Sequence, residues 1–251
     1  MDEQASRDAR TLAQWIGECP GGGMVFFGGA GVSTESGIPD FRGSGGIYTQ
    51  KWPYPPEVML SRSFFESHPR EFFEFYCSEM MPLAARPNAA HTRLAALEET
   101  GTLAAVITQN IDGLHQAAGA THVLELHGSI HRNFCMSCGA ACDACGLLEL
   151  RAESSDGVPR CSDCGGIVKP DVVLYEEPLD EEVLTSAVRE IAKAQLLVVA
   201  GTSLAVQPAA GLIGAFRGTR LVIVNRDATP ADGMADLCIH ANVGEVLSAG
   251  S

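Results

Sequence analysis

Residues 26–43 read FFGGAGVSTESGIPDFRG and hold the most informative pattern in the chain. The apolar run 24–27 predicts a buried strand, and the glycine-rich segment Gly28–Gly31 ends it immediately. Glycines directly after a buried strand let the backbone turn tightly and approach a pyrophosphate, whose charge the amides of the next turn can hold. Thr34 stands where the third glycine of the usual dinucleotide fingerprint belongs, so a purely structural turn is the alternative.

Size, charge and composition describe an acidic globular protein. The chain has 251 residues, of which 46% are hydrophobic and 19% are charged, enough for one large α/β domain with a small insert. Its formal net charge of -14 leaves no basic stripe for phosphates, so we expect no direct binding of nucleic acid. An acidic surface attracts cationic ligands such as lysine-rich peptides, although it also serves solubility.

The expected location is the cytoplasm, without a membrane partner. Residues 1–10 are polar and charged and include no apolar secretory segment. The sequence contains no apolar run long enough to cross a bilayer. Nine cysteines in such a chain favour a reducing compartment, where clustered thiols bind metal more often than they form disulfides.

Short apolar runs alternate with helical patterns along most of the chain. This alternation predicts an α/β fold with a Rossmann-like, doubly wound parallel sheet and a ligand at the carboxyl ends of its strands. The predicted strands are 24–28, 103–108, 122–126, 172–174, 196–200, 221–224 and 237–239. The predicted helices are 4–18, 69–81, 89–100, 180–194, 208–217 and 243–249. A cysteine-rich segment, 135–166, interrupts this order and indicates an inserted module.

The inserted module contains three Cys-x-x-Cys pairs, namely Cys135/Cys138, Cys142/Cys145 and Cys161/Cys164. Two such pairs supply the four thiolates of a closed tetrahedral zinc site, which stabilises structure and leaves no position for activating water. Spacing alone favours the second and third pairs. Unliganded surface thiols and a redox pair are the less favoured alternatives.

Polar residues follow several of the predicted strands. They are Thr108–Asp112, His127–Gly128, Gly201–Leu204 and Asn225–Asp227. In a parallel sheet these ends lie on one edge, where hydroxyl and amide groups can bind ribose or phosphate. A histidine there can act as a general base near neutral pH, although a structural histidine is the commoner case.

Taken in order, these motifs resemble the sirtuin family, and specifically bacterial NAD-dependent protein-lysine deacetylases. The resemblance covers nearly the whole chain and rests on Gly29–Arg42, Thr108–Asp112, His127–Gly128, the paired cysteines, Lys169–Val173 and Gly201–Leu204. It implies a Rossmann-like NAD-binding domain made of residues 1–42, 87–130 and 170–251. It also implies a small domain made of a helical insert, 43–86, and a zinc-ribbon insert, 131–169.

The resemblance assigns roles to individual residues. Catalysis would depend on His127, Asn110 and Asp112. NAD would be bound by Ala30, Thr34, Phe41, Arg42, Gln109, Ile111, Asp112, His127, Thr202, Ser203, Asn225, Ala241 and Val243. An extended acyl-lysine peptide would be flanked by Val172, Val173 and Val206. Zinc would be bound by Cys135, Cys138, Cys161 and Cys164. This zinc set contradicts the spacing argument and leaves Cys142 and Cys145 without an assigned role.

The implied reaction transfers the acetyl group of an acetyl-lysine protein or peptide to ADP-ribose and releases nicotinamide. His127 would take a proton from a ribose hydroxyl. Sirtuins that prefer succinyl-lysine carry a Tyr-x-x-Arg pair in the helical insert, whereas Tyr76 here has no arginine three residues on. We therefore expect an uncharged acyl group, most simply acetyl. The chain also departs from many relatives at Glu176, where they have glycine.

Several alternatives remain at this point. Within the family they are a mono-ADP-ribosyltransferase and a deacylase for longer neutral acyl groups. A zinc-ribbon module that only senses NAD would have no need of His127 as a base. A dehydrogenase is disfavoured, because the glycine turn lacks its third glycine and no site for hydride transfer is visible.

Overall fold

The computed structural model describes residues 1–41, 46–49 and 51–249. Within these ranges the helices are α1 (Glu3–Glu18), α2 (Pro56–Met59), α3 (Arg62–Ser67), α4 (Pro69–Glu79), α5 (Ala89–Glu99), α6 (Leu114–Ala117), α7 (Ala144–Glu153), α8 (Glu181–Lys193) and α9 (Val243–Ser248). The strands are β1 (Met24–Gly28), β2 (Leu103–Thr108), β3 (Val123–Glu125), β4 (Gly128–Cys135), β5 (Ala141–Cys142), β6 (Val168–Val172), β7 (Leu196–Ala200), β8 (Arg220–Val224) and β9 (Leu237–Ile239). Short 3-10 segments cover Ala30–Val32, Thr34–Ser36, Ile47–Thr49, Ala209–Ala215 and Asp232–Met234. Of the helices in the described ranges, none combines the length and the apolar character that crossing a bilayer requires.

The main sheet has six strands in the order β3-β2-β1-β7-β8-β9, and every neighbouring pair is parallel. The central strands β1 and β7 are buried along their entire length, as expected for strands covered on both faces. Gly28 at the end of β1 pairs with Thr108 of β2 and with Ala200 of β7, so three strand ends lie side by side. The predicted doubly wound parallel sheet is confirmed.

Helices cover both faces of this sheet. The helices α1, α5 and α9 pack on the face that includes Phe26, whereas α8 and the segment Ala209–Ala215 pack on the face that includes Phe27. Helix α1 begins where the side chain of Asp2 accepts a hydrogen bond from the Ala5 amide at 2.8 Å, which caps one of the free amides of the first turn. This arrangement leaves the carboxyl ends of the strands uncovered.

A second, smaller sheet has three antiparallel strands in the order β5-β4-β6. The strand predicted at 172–174 is wrong in position and in sheet, because β6 ends at Val172 and pairs with β4. The sequence Lys169–Asp171 resembles a turn and not a strand, because Pro170 has no backbone N–H to donate to a neighbouring strand. Pro170 is tolerated because β6 is an edge strand.

The small sheet and the helical segment α2–α4 share one hydrophobic core. Its centre is aromatic, with Trp52 and Phe75 edge to face at 4.9 Å between ring centroids. Cys135 of β4 and Val172 of β6 belong to the same core. The most deeply buried aromatic side chains of this core are Phe65, Phe72, Phe73, Phe75 and Tyr76. The helical segment and the cysteine-rich segment therefore pack as one unit beside the main sheet.

Candidate active site

A cavity of about 420 Å³ lies at the carboxyl ends of the parallel strands. Its walls are formed by the residues that follow β1, β2, β7, β8 and β9, by the loop after β6, and by apolar residues between 47 and 82. Doubly wound sheets bind ligands at this edge. Most of the residues singled out in the sequence line this cavity: Ala30, Phe41, Gln109, Asn110, Ile111, Asp112, His127, Val172, Val173, Thr202, Ser203, Val206, Asn225, Ala241 and Val243.

Two predicted NAD contacts are not among these residues. Thr34 does not line the cavity, and its hydroxyl donates to the Gly31 carbonyl at 3.0 Å. That bond holds the first 3-10 turn against the second. Arg42, the other predicted contact, lies outside the residues that the structure describes.

The glycine turn brings the backbones of two strand ends into contact. The Gly31 amide donates to the Gly201 carbonyl at 2.8 Å. A Cβ atom on Gly31 would lie 2.7 Å from Gly201 Cα, and one on Gly29 would lie 2.8 Å from Thr202 Cβ. Atoms cannot approach so closely, so both positions require glycine. The turn thus serves the packing of β1 against β7 as well as the cavity. This packing requires Gly29 and Gly31 and makes no demand for a glycine at Thr34, the third position of the dinucleotide fingerprint.

Asn110 and Asp112 are held in the cavity wall by Ser33. The hydroxyl of Ser33 donates to Asp112 Oδ2 at 2.6 Å, and the Leu114 amide donates to Oδ1 of the same carboxylate at 2.9 Å. Asn110 Nδ2 donates to the Gly29 carbonyl and to Ser33 Oγ, both at 3.1 Å. These bonds use the two amide hydrogens of Asn110 and do not involve its acceptor oxygen Oδ1. Ser33 had no predicted role of its own, because a serine in a glycine-rich turn is typical of a turn former.

His127 lies where the polypeptide passes from β3 to β4. Its Nδ1 atom is 2.9 Å from the Gln109 carbonyl oxygen. Because a carbonyl oxygen only accepts, Nδ1 carries the proton in the neutral ring and Nε2 is the acceptor. The tautomer is thereby assigned from the hydrogen-bond network.

The environment of His127 favours the uncharged imidazole. Burial lowers the pKa of the ring below its ordinary 6.5, while the hydrogen bond to the Gln109 backbone opposes the shift. The ring is therefore neutral at physiological pH. A neutral imidazole with an available acceptor nitrogen can take a proton from a hydroxyl in the cavity.

The chain also joins the two sheets at His127. The Val173 amide donates to the His127 carbonyl at 3.0 Å, and Gly128 pairs with Val172. Gly128 has a φ of 77°, and a Cβ atom there would overlap the Asp171 carbonyl oxygen. A glycine after the histidine is thus a packing requirement. It sets the imidazole beside the wall that Val172 and Val173 form.

The ends of β7 and β8 add polar groups with fixed partners. Thr202 Oγ1 accepts from Gln109 Nε2 at 3.0 Å. Asn225 Nδ2 donates to the Asp227 carbonyl at 2.8 Å. The guanidinium of Arg226 forms an ion pair with Asp40 at 2.9 Å and lines the cavity. Arg226 had no predicted role, although its position directly after a predicted strand could have indicated a residue at the cavity.

The loop after β6 is bound to helix α3. Glu176 has a φ of 76°, a left-handed conformation that favours glycine. Its carboxylate accepts from the Ser63 amide at 2.9 Å and from the Ser63 hydroxyl at 3.0 Å. These two bonds offset the cost of the backbone conformation, which explains how a glutamate can occupy a position that favours glycine.

Two buried histidines lie outside the cavity wall. His91 and His115 pack edge to face with ring centroids 4.7 Å apart, and both are almost fully buried. Both ring nitrogens of His115 and Nε2 of His91 have no hydrogen-bond partner among the described residues. Burial lowers the pKa of His91 to about 4 and that of His115 to about 3, so both are neutral packing residues near neutral pH.

Four cysteine sulfurs form one cluster in the small sheet. The Sγ atoms of Cys135, Cys138, Cys161 and Cys164 all lie within 4.8 Å of one another. Two of the pairs, Cys135 with Cys164 and Cys138 with Cys161, are separated by 3.4 and 3.7 Å. Of the two pairs that spacing favoured, Cys161/Cys164 joins the cluster, whereas Cys142/Cys145 is wrong, because Cys142 belongs to strand β5 and Cys145 to helix α7 and neither joins the cluster.

The cluster fits zinc in number, chemistry and dimensions. Four thiolates about 2.3 Å from a tetrahedral zinc lie about 3.8 Å from one another. Hydrogen bonds from the backbone amides of Cys138 and Ser137 lower the pKa of Cys135, which favours the thiolate that a metal binds. A Cβ atom on Gly166 would lie 3.0 Å from Cys135 Sγ, so glycine there makes room for the sulfur. With four protein ligands, the metal would be structural.

Comparisons with known proteins agree with this geometry. The profile of the Sir2 family matches residues 29–208. A protein of Clostridium acetobutylicum named NAD-dependent protein deacetylase is 56% identical over 226 residues, which are 89% of this chain and 91% of that protein. A solved complex of Sir2 with a p53 peptide and NAD+ is 41% identical, with a TM-score of 0.84 over 95% of each chain. A structure of Sir2Tm with a propionylated peptide is 38% identical, with a TM-score of 0.83 over 95% of this chain and 94% of that one.

Proposed function

The chain belongs to the Sir2 family of NAD-dependent protein deacetylases, and we propose that its cavity performs this reaction with His127 as the general base. One observation carries the proposal. At the carboxyl edge of the parallel sheet lies an uncharged imidazole whose Nδ1 is occupied by the Gln109 backbone and whose Nε2 is the acceptor.

NAD would supply the ribosyl group that receives the acetyl group when nicotinamide leaves. The residues of this chain would orient that sugar and move its protons. His127 Nε2 would accept the proton of a ribose hydroxyl, which makes the oxygen a better nucleophile toward the acyl carbon. Asn110 and Asp112, fixed by Ser33, would position the sugar and the nicotinamide carboxamide.

The remaining NAD contacts would come from the strand ends. The close backbone approach of Gly31 and Gly201 supports a dinucleotide at this edge, because a tight glycine turn lets the backbone approach a pyrophosphate. The phosphates and the nicotinamide ribose would be bound by Ala30, Thr34, Phe41 and Arg42. Further polar contacts would come from Gln109, Ile111, Thr202, Ser203 and Asn225, and the adenine would be bordered by Ala241 and Val243.

The acyl-lysine would enter beside the apolar wall. Val172, Val173 and Val206 would flank the extended peptide. The proposal of a neutral acyl group is supported by the charges of the wall, since carboxylates outnumber cations among the described lining residues. A succinyl carboxylate would be repelled by these groups, whereas lysine-rich peptide segments would be attracted.

The remaining assignments are proposed together with this function. The four-cysteine cluster would bind one zinc ion, which stabilises the small sheet. The NAD-binding domain would consist of 1–42, 87–130 and 170–251, with inserts at 43–86 and 131–169. We further propose that the protein works in the cytoplasm.

The reaction is tested by mass spectrometry of the products formed from NAD and a lysine peptide. We expect acetyl-ADP-ribose, nicotinamide and the deacetylated peptide from an acetylated peptide, and at least about tenfold slower turnover of the matched succinylated peptide, because like charges brought together are repelled. A propionylated peptide extends the comparison to longer neutral groups. ADP-ribosylated protein in place of acetyl-ADP-ribose would show a mono-ADP-ribosyltransferase instead. A preference for the succinylated peptide would overturn the assigned acyl class.

A further inference from the structure

Two tyrosines from distant parts of the sequence meet at the cavity. Tyr48 Oη lies 2.7 Å from Tyr175 Oη, although 127 positions separate the residues. Both side chains line the cavity, and Tyr175 is 36% exposed. The contact is therefore placed at the solvent side of the cavity wall. A hydrogen bond between two phenols is directional, so it fixes the two rings relative to each other.

Tyr48 is attached to the side of the cavity that begins with Asp40 and Phe41. Its amide donates to the Phe41 carbonyl at 2.9 Å, and its ring packs edge to face on Phe41 with centroids 5.5 Å apart. The preceding amide, that of Ile47, donates to the Asp40 carbonyl at 3.0 Å. A displacement of Phe41 must therefore displace Tyr48.

Tyr175 is attached to the opposite side. Its amide donates to the Leu60 carbonyl at 3.0 Å, and its carbonyl accepts from the Arg62 amide at 2.9 Å. Glu176, the next residue, is bound to Ser63 through both carboxylate oxygens. Two positions earlier, the Val173 amide is bonded to the His127 carbonyl. Tyr175 is thus presented by a loop that is firmly connected to the wall of Val172 and Val173.

We infer that the Tyr48–Tyr175 hydrogen bond couples dinucleotide binding to acyl-peptide binding. This inference rests on the proposed function, which places the dinucleotide against Phe41 and the peptide against Val172 and Val173. A dinucleotide that fixes Phe41 fixes Tyr48, and the hydrogen bond then holds the loop that receives the peptide. By reciprocity, the peptide improves dinucleotide affinity by the same factor. Both tyrosines are positioning residues, because neither is assigned a contact with the reacting atoms.

The test measures binding without turnover. The dissociation constant of ADP-ribose, which has no nicotinamide to release, is determined by calorimetry with and without a saturating acetyl-lysine peptide. The ratio of the two constants is the coupling factor. It is compared among the wild type, Tyr48→Phe, Tyr175→Phe and the double variant, since phenylalanine keeps each ring and removes only the hydroxyl. Tyr54→Phe is the matched control, because Tyr54 is exposed and does not line the cavity.

In the wild type we expect the peptide to tighten ADP-ribose binding. Each single cavity variant should reduce the coupling factor about three- to tenfold, the effect of one lost hydrogen bond. The double variant should lose no more than either single variant, because both remove the same bond. The Tyr54 control should retain the full factor, and the thermal unfolding midpoint of all variants should remain that of the wild type.

A wild type without coupling would overturn the inference, as would single variants that retain the factor or losses that add in the double variant. Because no chemistry enters the measurement, the product analysis of the preceding section tests the proposed function separately. A wild type that forms no acetyl-ADP-ribose would refute the deacetylase assignment, whereas unchanged coupling in the variants would refute only the role of the two phenols.

Discussion

Ser33 donates its hydroxyl hydrogen to Asp112 over 2.6 Å and so connects the turn after β1 to the residues after β2. The same hydroxyl oxygen accepts from Asn110. The side chain of Ser33 therefore contacts both polar residues assigned to the sugar. It organises the site from within the glycine turn.

Replacement of Ser33 by alanine should reduce kcat/KM for NAD about tenfold, because both Asn110 and Asp112 lose a fixed partner. Steady-state kinetics at saturating acetyl-peptide measure this. Ser36→Ala is the matched control, since the Ser36 hydroxyl is buried in the same region and has no hydrogen-bond partner among the residues that the structure describes. Equal effects of the two substitutions would show that Ser33 acts only through packing.

Replacement of His127 by alanine should lower kcat about 10²- to 10⁴-fold, the usual contribution of a general base, and should leave NAD binding close to that of the wild type. Turnover and equilibrium binding are measured on the same preparation. His122→Ala is the control, because His122 also bonds a backbone carbonyl through Nδ1, at 2.7 Å, but is exposed and does not line the cavity. Turnover near the wild-type rate in the His127 variant would remove its assigned role.

The pH dependence of kcat/KM should show an acid limb below 6.5. Burial lowers the pKa of His127 below that value, and a base must be unprotonated to act. Activity is therefore fully present above 6.5 and falls as the pH drops through the lowered pKa. Initial rates from about pH 5 to about pH 8 measure the limb. An acid limb centred above 6.5 would contradict the environment described for the ring.

Acid should destabilise the fold through His91 and His115. The unfolded chain binds protons at these side chains near 6.5, whereas burial lowers their folded pKa values to about 4 and about 3. Their contribution to stability is thus fully present above 6.5 and is lost as the pH falls toward the folded values. The slope is at most about 1.4 kcal/mol per pH unit for each ring.

Urea unfolding of the wild type and of His115→Phe, at neutral and at mildly acidic pH, tests this expectation. Phenylalanine keeps an aromatic ring against Phe26 and cannot be protonated, so the variant should lose less stability on acidification. His122→Gln removes an exposed histidine and should retain the wild-type slope. Identical slopes in the wild type and the His115 variant would contradict the prediction.

Zinc content should depend on Cys161 and not on Cys145. Elemental analysis of the purified protein should find one zinc per chain, and Cys161→Ser should lose it together with part of the thermal stability, because a closed site contributes its binding energy to folding. Cys145→Ser should keep both, since Cys145 is an exposed residue of α7 outside the cluster. Loss of zinc in the Cys145 variant would reinstate the pairing that spacing favoured.

The strands that could be predicted are those that consist of an uninterrupted, mainly apolar run. Leu103–Thr108, Leu196–Ala200 and Leu237–Ile239 were predicted with their observed bounds. The strand Val168–Val172 was misplaced because its middle residues, Lys169–Asp171, carry no apolar signal. Its stability comes from pairing with β4, and local sequence contains no information about a partner strand.

The site residues that belong to sequence motifs could be predicted. The contacts between residues that are distant in sequence and close only in the folded structure could not. His127, Asn110 and Asp112 follow strands, so the order of the sheet brings them together. The contacts of Ser33 and the Tyr48–Tyr175 bond span 79 and 127 positions, and no periodicity records such pairs. The zinc ligands needed the family resemblance, because β5 and α7 lie between the two pairs and their length sets the spacing.

The cavity draws its polar groups and its apolar wall from different parts of the chain. Ser33, Asn110, Asp112 and His127 belong to the ends of the parallel sheet, whereas Ile47, Leu60 and Met80 belong to the core shared by the small sheet and the helical segment. Mutation in that segment can therefore reshape what the enzyme accepts without disturbing the atoms that perform the reaction. Evolution toward new acyl groups would be expected to accumulate its changes there, and a selective inhibitor would gain its discrimination from the same side.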